Sequence, residues 1–194
     1  MARTKEFDPD AALRAALELF WARGYEATAM SDLVEHLGIG RASLYATFGN
    51  KHELYLKALD RYAEERVPGM VEELSAPGPA LPAVRALVRR FAAEAGSEEE
   101  RLHGCFVTNS AAELAPRDPA VARRVELNWE HLETLLHAAL VRARAQGELP
   151  PERDPRALAR MLLVLIQGIR LVGKASTDPA RVRDAAEQAL ALLD

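Results

Sequence analysis

TAMSDLVEHLGIGRASLYATFGNK, residues 28–51, is the stretch of sequence that decides the fold. Apolar residues recur at helical spacing in its first half, at Met30, Leu33, Val34 and Leu37. Gly38-Ile39-Gly40 ends this first helix, because glycine adopts the positive φ of a C-cap or tight turn at little cost. A second helix follows at about residues 41–48. Two helices around a glycine turn are typical of a helix-turn-helix.

The second helix of this pair has an outward face that is suited to contact with nucleic acid. Leu44 and Phe48 stand four residues apart and face inward, which leaves the other side exposed. The outward residues are Arg41, Ala42, Ser43, Tyr45 and Thr47. Small and hydroxyl side chains at the start of the helix let its N-terminus approach base edges and phosphates closely.

The composition favours an all-α protein that is long enough to bury a core. The chain has 194 residues, of which 49% are apolar and only 6% aromatic. Its net charge of −4 argues against binding nucleic acid through bulk charge. Residues 1–66 carry nine Lys and Arg against eleven Asp and Glu, whereas residues 38–57 have a local charge of +2. Affinity for DNA must therefore come from a few placed contacts, doubled by dimerisation.

No feature of the sequence indicates a membrane protein or an oxidising compartment. The single cysteine cannot form an intrachain disulfide, and the N-terminus lacks an apolar signal core. The most apolar segment, residues 158–172, is too short and too polar to span a bilayer. His131 and His137 share no helix face, so no metal site is predicted. We therefore expect a cytoplasmic protein that uses no cofactor.

Four Asp-Pro pairs mark helix starts, because Asp accepts an N-cap hydrogen bond and Pro fits the first helical position. The pairs begin at Asp8, Asp118, Asp154 and Asp178. With the apolar periodicity, and with Thr28 and Asn50 as further N-caps, they predict about nine helices. These span residues 9–23, 28–37, 41–48, 51–66, 82–96, 103–115, 119–146, 155–173 and 179–193, with a further short helix at 69–75.

The helices divide the chain into two predicted domains. Residues 1–50 form the helix-turn-helix domain, in which residues 1–7 are a flexible arm carrying Arg3 and Lys5. The helix at 51–66 is shared as a connector, and residues 67–194 form a helical ligand-binding and dimerisation domain. The helix at 155–173 is apolar on every side, which indicates that a second subunit covers one face. The predicted interface is Leu158, Leu162, Leu165, Ile169, Val182, Ala186 and Leu190.

The N-terminal third resembles the TetR/AcrR family of transcriptional regulators. The resemblance rests on ALELFWARGYEATAMSDLVEHLGIGRASLYATFGNKHELY, residues 16–55, with its Phe-x-x-x-Gly-Tyr-x-x-Thr, Leu-Tyr-x-x-Phe and Asn-Lys-x-x-Leu patterns. GCFVTNSAAELAPRDP, residues 104–119, resembles one branch of the family more loosely. The resemblance implies a homodimer that binds a palindromic operator in double-stranded DNA, usually represses transcription, and is released by a small-molecule effector.

The resemblance also assigns roles to individual residues. It places Thr28 and Lys51 on phosphates, and Arg41, Ala42 and Ser43 near base edges. Tyr45 and Thr47 would contact the backbone or bases. The chain departs from the family where it has Gly40, Ala46 and Thr47, so recognition is expected to depend on fewer long side chains and partly on DNA shape.

Effector contacts are predicted from the chemistry of residues in the second domain. The candidates are Cys105, Phe106, Asn109, Trp129 and Met161, with Phe91 as a further possible lining residue. Apolar side chains of these types more often belong to an ordinary hydrophobic core than to a pocket. Gln167 and Arg170 lie on the apolar helix at 155–173 and fit either a dimer interface or the floor of a pocket.

Three classes of function compete on the sequence alone. The first is the ligand-responsive DNA-binding repressor. In the second, Cys105 at a helix start acts as a thiol sensor of oxidants or electrophiles, which requires a lowered thiol pKa. The third is a helical protein-interaction module. An enzyme with Cys105 as nucleophile is not expected, because only His103 is a nearby base and no orienting third group is present.

Overall fold

The computed structural model describes residues 7–95 and 97–194, and over these residues the secondary structure is helical, with no strand. The predicted all-α class is confirmed, although the described residues form ten helices rather than about nine. Residues 1–6, and with them Arg3 and Lys5 of the predicted arm, lie outside the described part. The helices are α1 (Pro9–Arg23), α2 (Met30–Leu37), α3 (Arg41–Phe48), α4 (Lys51–Ser75), α5 (Ala80–Glu94), α6 (Glu98–His103), α7 (Phe106–Glu113), α8 (Pro119–Ala145), α9 (Pro155–Ala175) and α10 (Ala180–Ala191).

Capping side chains define most of the helix starts that the sequence predicted. The Asp8, Asp118 and Asp154 carboxylates accept hydrogen bonds from backbone N–H groups in the first turns of α1, α8 and α9. Asn50 Oδ1 accepts from the N–H of Glu53 at 3.0 Å and begins α4. Gly38, with a φ of 64°, ends α2 in the left-handed conformation. The end of the first helix and the bounds of the second, residues 41–48, are therefore as predicted, whereas the first helix begins at Met30.

Helix α4 differs from the prediction of a break near residue 66. It continues through Pro68 to Ser75 as one helix. Pro68 has no backbone N–H, so the carbonyl of Glu64, four residues earlier, loses its hydrogen bond within the helix. Glu64 and Pro68 are both exposed, so water can donate to the freed carbonyl. The predicted short helix at 69–75 is the continuation of α4.

The region after α4 also differs from the prediction. Helix α5 begins at Ala80 rather than residue 82, because side chains distant in sequence cap it: the N–H groups of Ala80 and Leu81 donate to Gln146 Oε1 and Glu148 Oε2. The predicted helix at 103–115 corresponds to α7, Phe106–Glu113, and α6, Glu98–His103, was not predicted. Gly104 separates them with a φ of 64°, which favours glycine.

Two hydrophobic cores lie on either side of the middle of α4 and α8. One joins α1–α3 and the first half of α4 to α7 and the start of α8, through residues such as Phe20, Tyr55, Phe106 and Val121. The other contains the end of α4 with α5, the rest of α8, α9 and α10. Helix α7 therefore packs with the helix-turn-helix. The domain division, which stays a prediction, assigns α7 to the second domain. Within the described residues, no helix has the length and apolarity to cross a bilayer.

Gly173 of α9 packs directly against Ala95, the C-cap residue of α5. A Cβ at this position would lie 2.5 Å from the Cβ of Ala95 and 3.0 Å from its carbonyl oxygen. We expect Gly173→Ala to lower the free energy of unfolding by about 1–3 kcal/mol, because the contact is backbone and cannot move aside cheaply. Chemical denaturation of the purified variant measures the change.

Gly69→Ala in α4 is the matched control for this prediction. A Cβ at Gly69 would meet nothing within 4 Å, so alanine should be neutral or stabilising by up to about 1 kcal/mol through its higher helix propensity. Equal free energies of unfolding for the two variants would show that α5 and α9 are not in close contact.

Candidate nucleic-acid interface

Helix α3 lies at the surface and presents most of the predicted contact residues to solvent. Leu44 and Phe48 are buried and attach the helix to the core. The exposed side chains are Arg41, Ala42, Tyr45 and Thr47, and Ser43 is half-buried. The structure thus brings five of the seven predicted contact residues onto one accessible helix, and their contacts with DNA remain a prediction.

Arg41 and Tyr45 are the two long side chains on this face, and they lie against each other. Arg41 Nη2 is 3.4 Å from the Tyr45 hydroxyl, and its guanidinium lies 5.6 Å from the centre of the Tyr45 ring. The N-cap residue of α3 is Gly40, which has no side chain to cap the helix. Its first backbone N–H groups are therefore available to an anion such as a phosphate.

Thr28 does not occupy the position that the sequence indicated. Its side chain is fully buried, and Oγ1 donates to the carbonyl of Gly24 at 2.7 Å. Ala29, not Thr28, is the N-cap of α2, and the Asp32 carboxylate accepts from its N–H. The phosphate contact of Thr28 stays a prediction, and in this conformation its hydroxyl is enclosed by the turn between α1 and α2.

Lys51 makes two of its contacts inside the protein. Its Nζ donates to the carbonyls of Tyr25 and Thr28 at 2.8 Å each, and lies 4.0 Å from the centre of the Tyr25 ring. An ammonium group has three N–H donors, so one is left for a phosphate. Lys51 therefore fastens the α1–α2 turn to the start of α4, a role that no local sequence signal indicated.

We expect Lys51→Met to lower the free energy of unfolding by about 1–3 kcal/mol, because it removes two hydrogen bonds from a charged donor. If the third donor also reaches a phosphate, the slope of log affinity for DNA against log salt will decrease in magnitude by about one per subunit, or about two for a dimer. Denaturation and a salt titration of DNA binding separate the two effects. Lys57→Met is the control, since Lys57 Nζ makes only a 3.4 Å contact with the carbonyl of Phe48.

Helix α7 is joined by polar contacts to the helix-turn-helix. The Glu113 carboxylate accepts from the backbone N–H groups of Tyr25 at 3.1 Å and Glu26 at 2.9 Å. Tyr55 and Ser110 hydroxyls lie 2.7 Å apart in the core. These contacts link residues far apart in the chain, so sequence reasoning did not find Glu113.

The opposite side of α7 is joined to α9. Thr108 Oγ1 donates to Gln167 Oε1 at 2.9 Å, and Lys174 Nζ donates to Asn109 Oδ1 at 3.2 Å. Arg170 lies 3.3 Å from Cys105 Sγ, just before α7 begins. Helix α7 therefore lies between the helix-turn-helix and α9, with hydrogen bonds to both.

A cavity of about 360 Å³ lies between α4, α5 and α9. Phe91 and Arg170 are among its lining residues. None of the five predicted effector contacts lines this cavity, whereas Phe106 and Asn109 line a second one of about 430 Å³ between α1, α4, α7 and α9. Cys105 and Phe106 are buried core, Trp129 and Met161 pack at the edges of separate cores, and Asn109 bonds the carbonyl of His103.

Cys105 is buried beside a cation. Burial raises the pKa of its thiol, but the Arg170 guanidinium and hydrogen bonds with Thr108 and Tyr62 outweigh this effect, so the pKa lies below its ordinary value. The thiol has the electronic character of a reactive cysteine but not the exposure. No group of acidic, His or Cys side chains in the described parts of the chain could hold a metal ion.

The predicted dimer interface needs correction. Leu162, Ile169, Val182, Ala186 and Leu190 are all buried within the single chain, and Leu158 and Leu165 are half-buried against the same core. The exposed apolar face of α9 is a neighbouring one, with Ala157, Val164, Gly168, Leu171, Val172 and Ala175. We call these six residues the outer face of α9. The face of α9 that the sequence assigned to a partner subunit is buried against α5, α8 and α10 of the same chain.

Comparison with known proteins shows similarity along the whole chain. Residues 12–58 match the family described as bacterial regulatory proteins, tetR family, and residues 80–189 match the tetracyclin repressor-like C-terminal domain. The chain is 39% identical to the uncharacterised HTH-type transcriptional regulator YezE of Bacillus subtilis, over 100% of both chains. It is 36% identical to the HTH-type transcriptional repressor ComR of Escherichia coli, over 87% of this chain and 80% of ComR.

A solved structure with the same fold contains DNA. It is a cysteine mutant of the TetR family transcriptional regulator CifR in complex with a 26-base-pair operator duplex. The two chains are 28% identical, the superposition covers 100% of each, and the TM-score is 0.85. The arrangement of α1–α4 is thus similar to that of a protein solved on double-stranded DNA.

Proposed function

Because the chain belongs to the TetR family of bacterial transcriptional regulators, we propose that it is a repressor that binds a palindromic operator as a homodimer and is released by a small-molecule effector. The observation that carries this proposal is the exposed face of α3, with Arg41 and Tyr45 at its centre. Repression is proposed because ComR, to which the chain is similar, is named a repressor. Acting on chromosomal DNA places the protein in the cytoplasm, and the proposal assigns it no enzymatic activity.

DNA recognition is proposed to combine a few direct contacts with anchoring at helix ends. Arg41 can donate two parallel hydrogen bonds to a guanine edge, and Tyr45 can contact a base or phosphate beside it. Backbone N–H groups at the start of α3 and the third donor of Lys51 would anchor phosphates. We call one helix-turn-helix domain with its α3 a reading head. Since the chain is acidic overall, a single reading head binds DNA weakly and two are needed for a stable complex.

Homodimerisation is proposed through the outer face of α9. Six apolar residues form this face, and Val164 is 70% exposed in the single chain. The exposed Arg160 lies on the same face near its N-terminal end, where it pairs with Glu133. An exposed apolar strip of this kind on a helix is stabilised when a second copy covers it. A two-fold axis across α9 would set the distance between the two α3 helices.

Release by an effector is proposed to act through α4 and α7. Helix α4 carries Lys51 at its first residue and reaches the cavity with its second half. Helix α7 holds the α1–α2 turn through Glu113 and contacts α9 through Thr108 and Asn109. A ligand that changes the angle between α4 and α9 therefore changes the spacing of the two reading heads.

The test is selection of genomic fragments by the purified protein, followed by titration of the enriched sequence at a fixed salt concentration. We expect a palindrome whose affinity exceeds that of a scrambled duplex by about 1,000-fold or more. Binding with no preference above the non-specific level at low salt would end the proposal. Transcription from a reporter behind the operator, with and without the protein, distinguishes repression from activation.

Sensing through the Cys105 thiol is kept as the alternative mode of regulation, because Arg170 lies 3.3 Å from Cys105 Sγ. A lowered thiol pKa increases the thiolate fraction and hence reactivity toward electrophiles. Because Sγ is buried, reaction requires Arg170 to move first. Cys105→Ser distinguishes the two modes: it abolishes release by a thiol reagent such as N-ethylmaleimide in the second, and preserves release by a reversible effector in the first.

A further inference from the structure

We propose that the cavity between α4, α5 and α9 binds a small organic carboxylate with an apolar body, whose anionic group is held by Arg66 and Arg170. The inference rests on the proposed function in one respect, namely that this ligand is the effector that releases DNA. The existence of an anion site follows from the cavity itself and is tested separately.

The shape of the cavity suits a small molecule with an apolar part. Its volume of about 360 Å³ falls at the lower end of the range for ligand pockets. Met70 of α4 and Phe91 of α5 supply apolar walls and are largely buried. Such walls favour a hydrocarbon or aromatic group over a fully hydrated ion.

The charges that line the cavity are not balanced. Of its three arginines, Arg90 donates to the carboxylates of Glu73 and Glu94 at 2.9 and 2.8 Å. Arg66 and Arg170, from α4 and α9, lie within 4 Å of no described carboxylate. Glu65 also lines the cavity, but it accepts from Arg61 at 2.8 Å on the outer side of α4. Two guanidinium groups are thus left without an anionic partner among the described carboxylates.

The contacts that these two arginines do make hold them in place without neutralising them. The Arg66 guanidinium lies 5.5 and 5.1 Å from the ring centres of Trp21 and Tyr62. The Arg170 guanidinium lies 4.4 Å from the centre of the Phe91 ring. Stacking on an aromatic ring orients a guanidinium and leaves its N–H groups free at the edge, where a carboxylate binds in bidentate fashion.

The groups behind the cavity do not supply the missing negative charge to Arg66. Burial raises the pKa of Tyr62 far above its ordinary value, although Arg66 and Arg170 oppose this, so the phenol stays neutral. Cys105 touches Arg170 and is a partial partner for that residue. An entering carboxylate would pair with Arg66 and displace or share the Arg170 contact, and this links the anion to the position of α9.

Thermal unfolding of the full-length protein tests the site with defined probes. The probes are phenylacetate, 4-phenylbutyrate and octanoate, each compared with its neutral amide at about 10 mM and constant ionic strength. The variants are Arg66→Met and Arg170→Met. Arg66 makes no hydrogen bond to another described side chain, so its replacement should leave the fold intact. Arg123→Met, an exposed arginine on α8, is the matched control.

We expect at least one acid to raise the melting temperature of the wild type and of Arg123→Met while its amide does not. Affinity for that acid should fall at least about 10-fold in Arg66→Met and in Arg170→Met, the loss expected for one charge-assisted hydrogen bond. Equal stabilisation by acid and amide, unchanged affinity in Arg66→Met, or no stabilisation by any of the three acids would overturn the proposal.

Fluorescence anisotropy of a labelled operator then separates the two levels of inference. If the acid binds and releases DNA, the cavity is the effector site. Binding of the acid without any specific binding of DNA leaves the anion site in place and overturns the proposed function. If the protein binds the operator specifically but no acid stabilises it or affects DNA binding, the anion site is overturned and the proposed DNA binding remains.

Discussion

An Arg41→Ala, Tyr45→Ala double variant is expected to bind the operator at least about 100-fold more weakly than the wild type, since each base contact is worth about 1–3 kcal/mol and both subunits of the dimer are affected. Both side chains lie on the accessible side of α3 and approach each other there, although Tyr45 is only 38% exposed. Their removal is therefore expected to lower the free energy of unfolding by about 1 kcal/mol or less. Anisotropy titration with the selected operator measures the affinity.

Arg123→Ala is the control for this variant, because it removes the same charge from α8. It should reduce affinity only through the general electrostatic effect, and equally for operator and scrambled DNA. If the double variant binds as well as the wild type, or its affinity falls for both duplexes alike, α3 does not read the sequence and the interface must be placed elsewhere.

A Val164→Glu, Leu171→Glu double variant is expected to be monomeric at micromolar concentration and to lose most of its operator affinity. Both residues belong to the outer face of α9 and are 70% and 55% exposed in the single chain. Two like charges facing their copies across a two-fold axis would be buried without partners, which weakens association at least about 100-fold. Light scattering after size exclusion gives the mass in solution.

DNA binding weakens because dissociation of the dimer separates the two reading heads. Two heads in one dimer bind with an effective concentration that a free monomer lacks, so affinity should fall by about 100- to 10,000-fold. Leu127→Glu is the control, since Leu127 is an exposed leucine of α8 that lies outside the outer face of α9. If the double variant of α9 stayed dimeric, or if Leu127→Glu dissociated the dimer instead, the interface would belong to another surface.

Local patterns in the sequence predicted much of the fold because the forces behind them act over a few residues. The Asp and Asn caps accept from N–H groups two or three positions away, and Gly38 supplies the φ that ends α2. The exposed face of α3 was predicted for the same reason, since Leu44 and Phe48 determine which side is buried. Where a cap came from a distant side chain, as Gln146 does for α5, the predicted helix start was wrong.

The predicted contact residues show how far this local reasoning extends. Arg41 and Tyr45 lie on the exposed side of α3, as the apolar periodicity predicted. Thr28 and Lys51 were assigned by motif position alone, and tertiary contacts gave both a second role inside the α1–α2 turn. Polar groups near a turn form hydrogen bonds with its free carbonyls, and the sequence does not say which carbonyls will be in reach.

The sequence by itself determined the helical class, the position of the helix-turn-helix and the face of α3 that is exposed. Tertiary structure alone decided which apolar side of α9 is exposed, because Leu162 and Val164 are chemically alike and only packing against α5, α8 and α10 distinguishes them. It also brought Arg66 and Arg170 to one cavity from helices far apart in the chain. Charge balance depends on distances between side chains, and those distances exist only once the helices have packed.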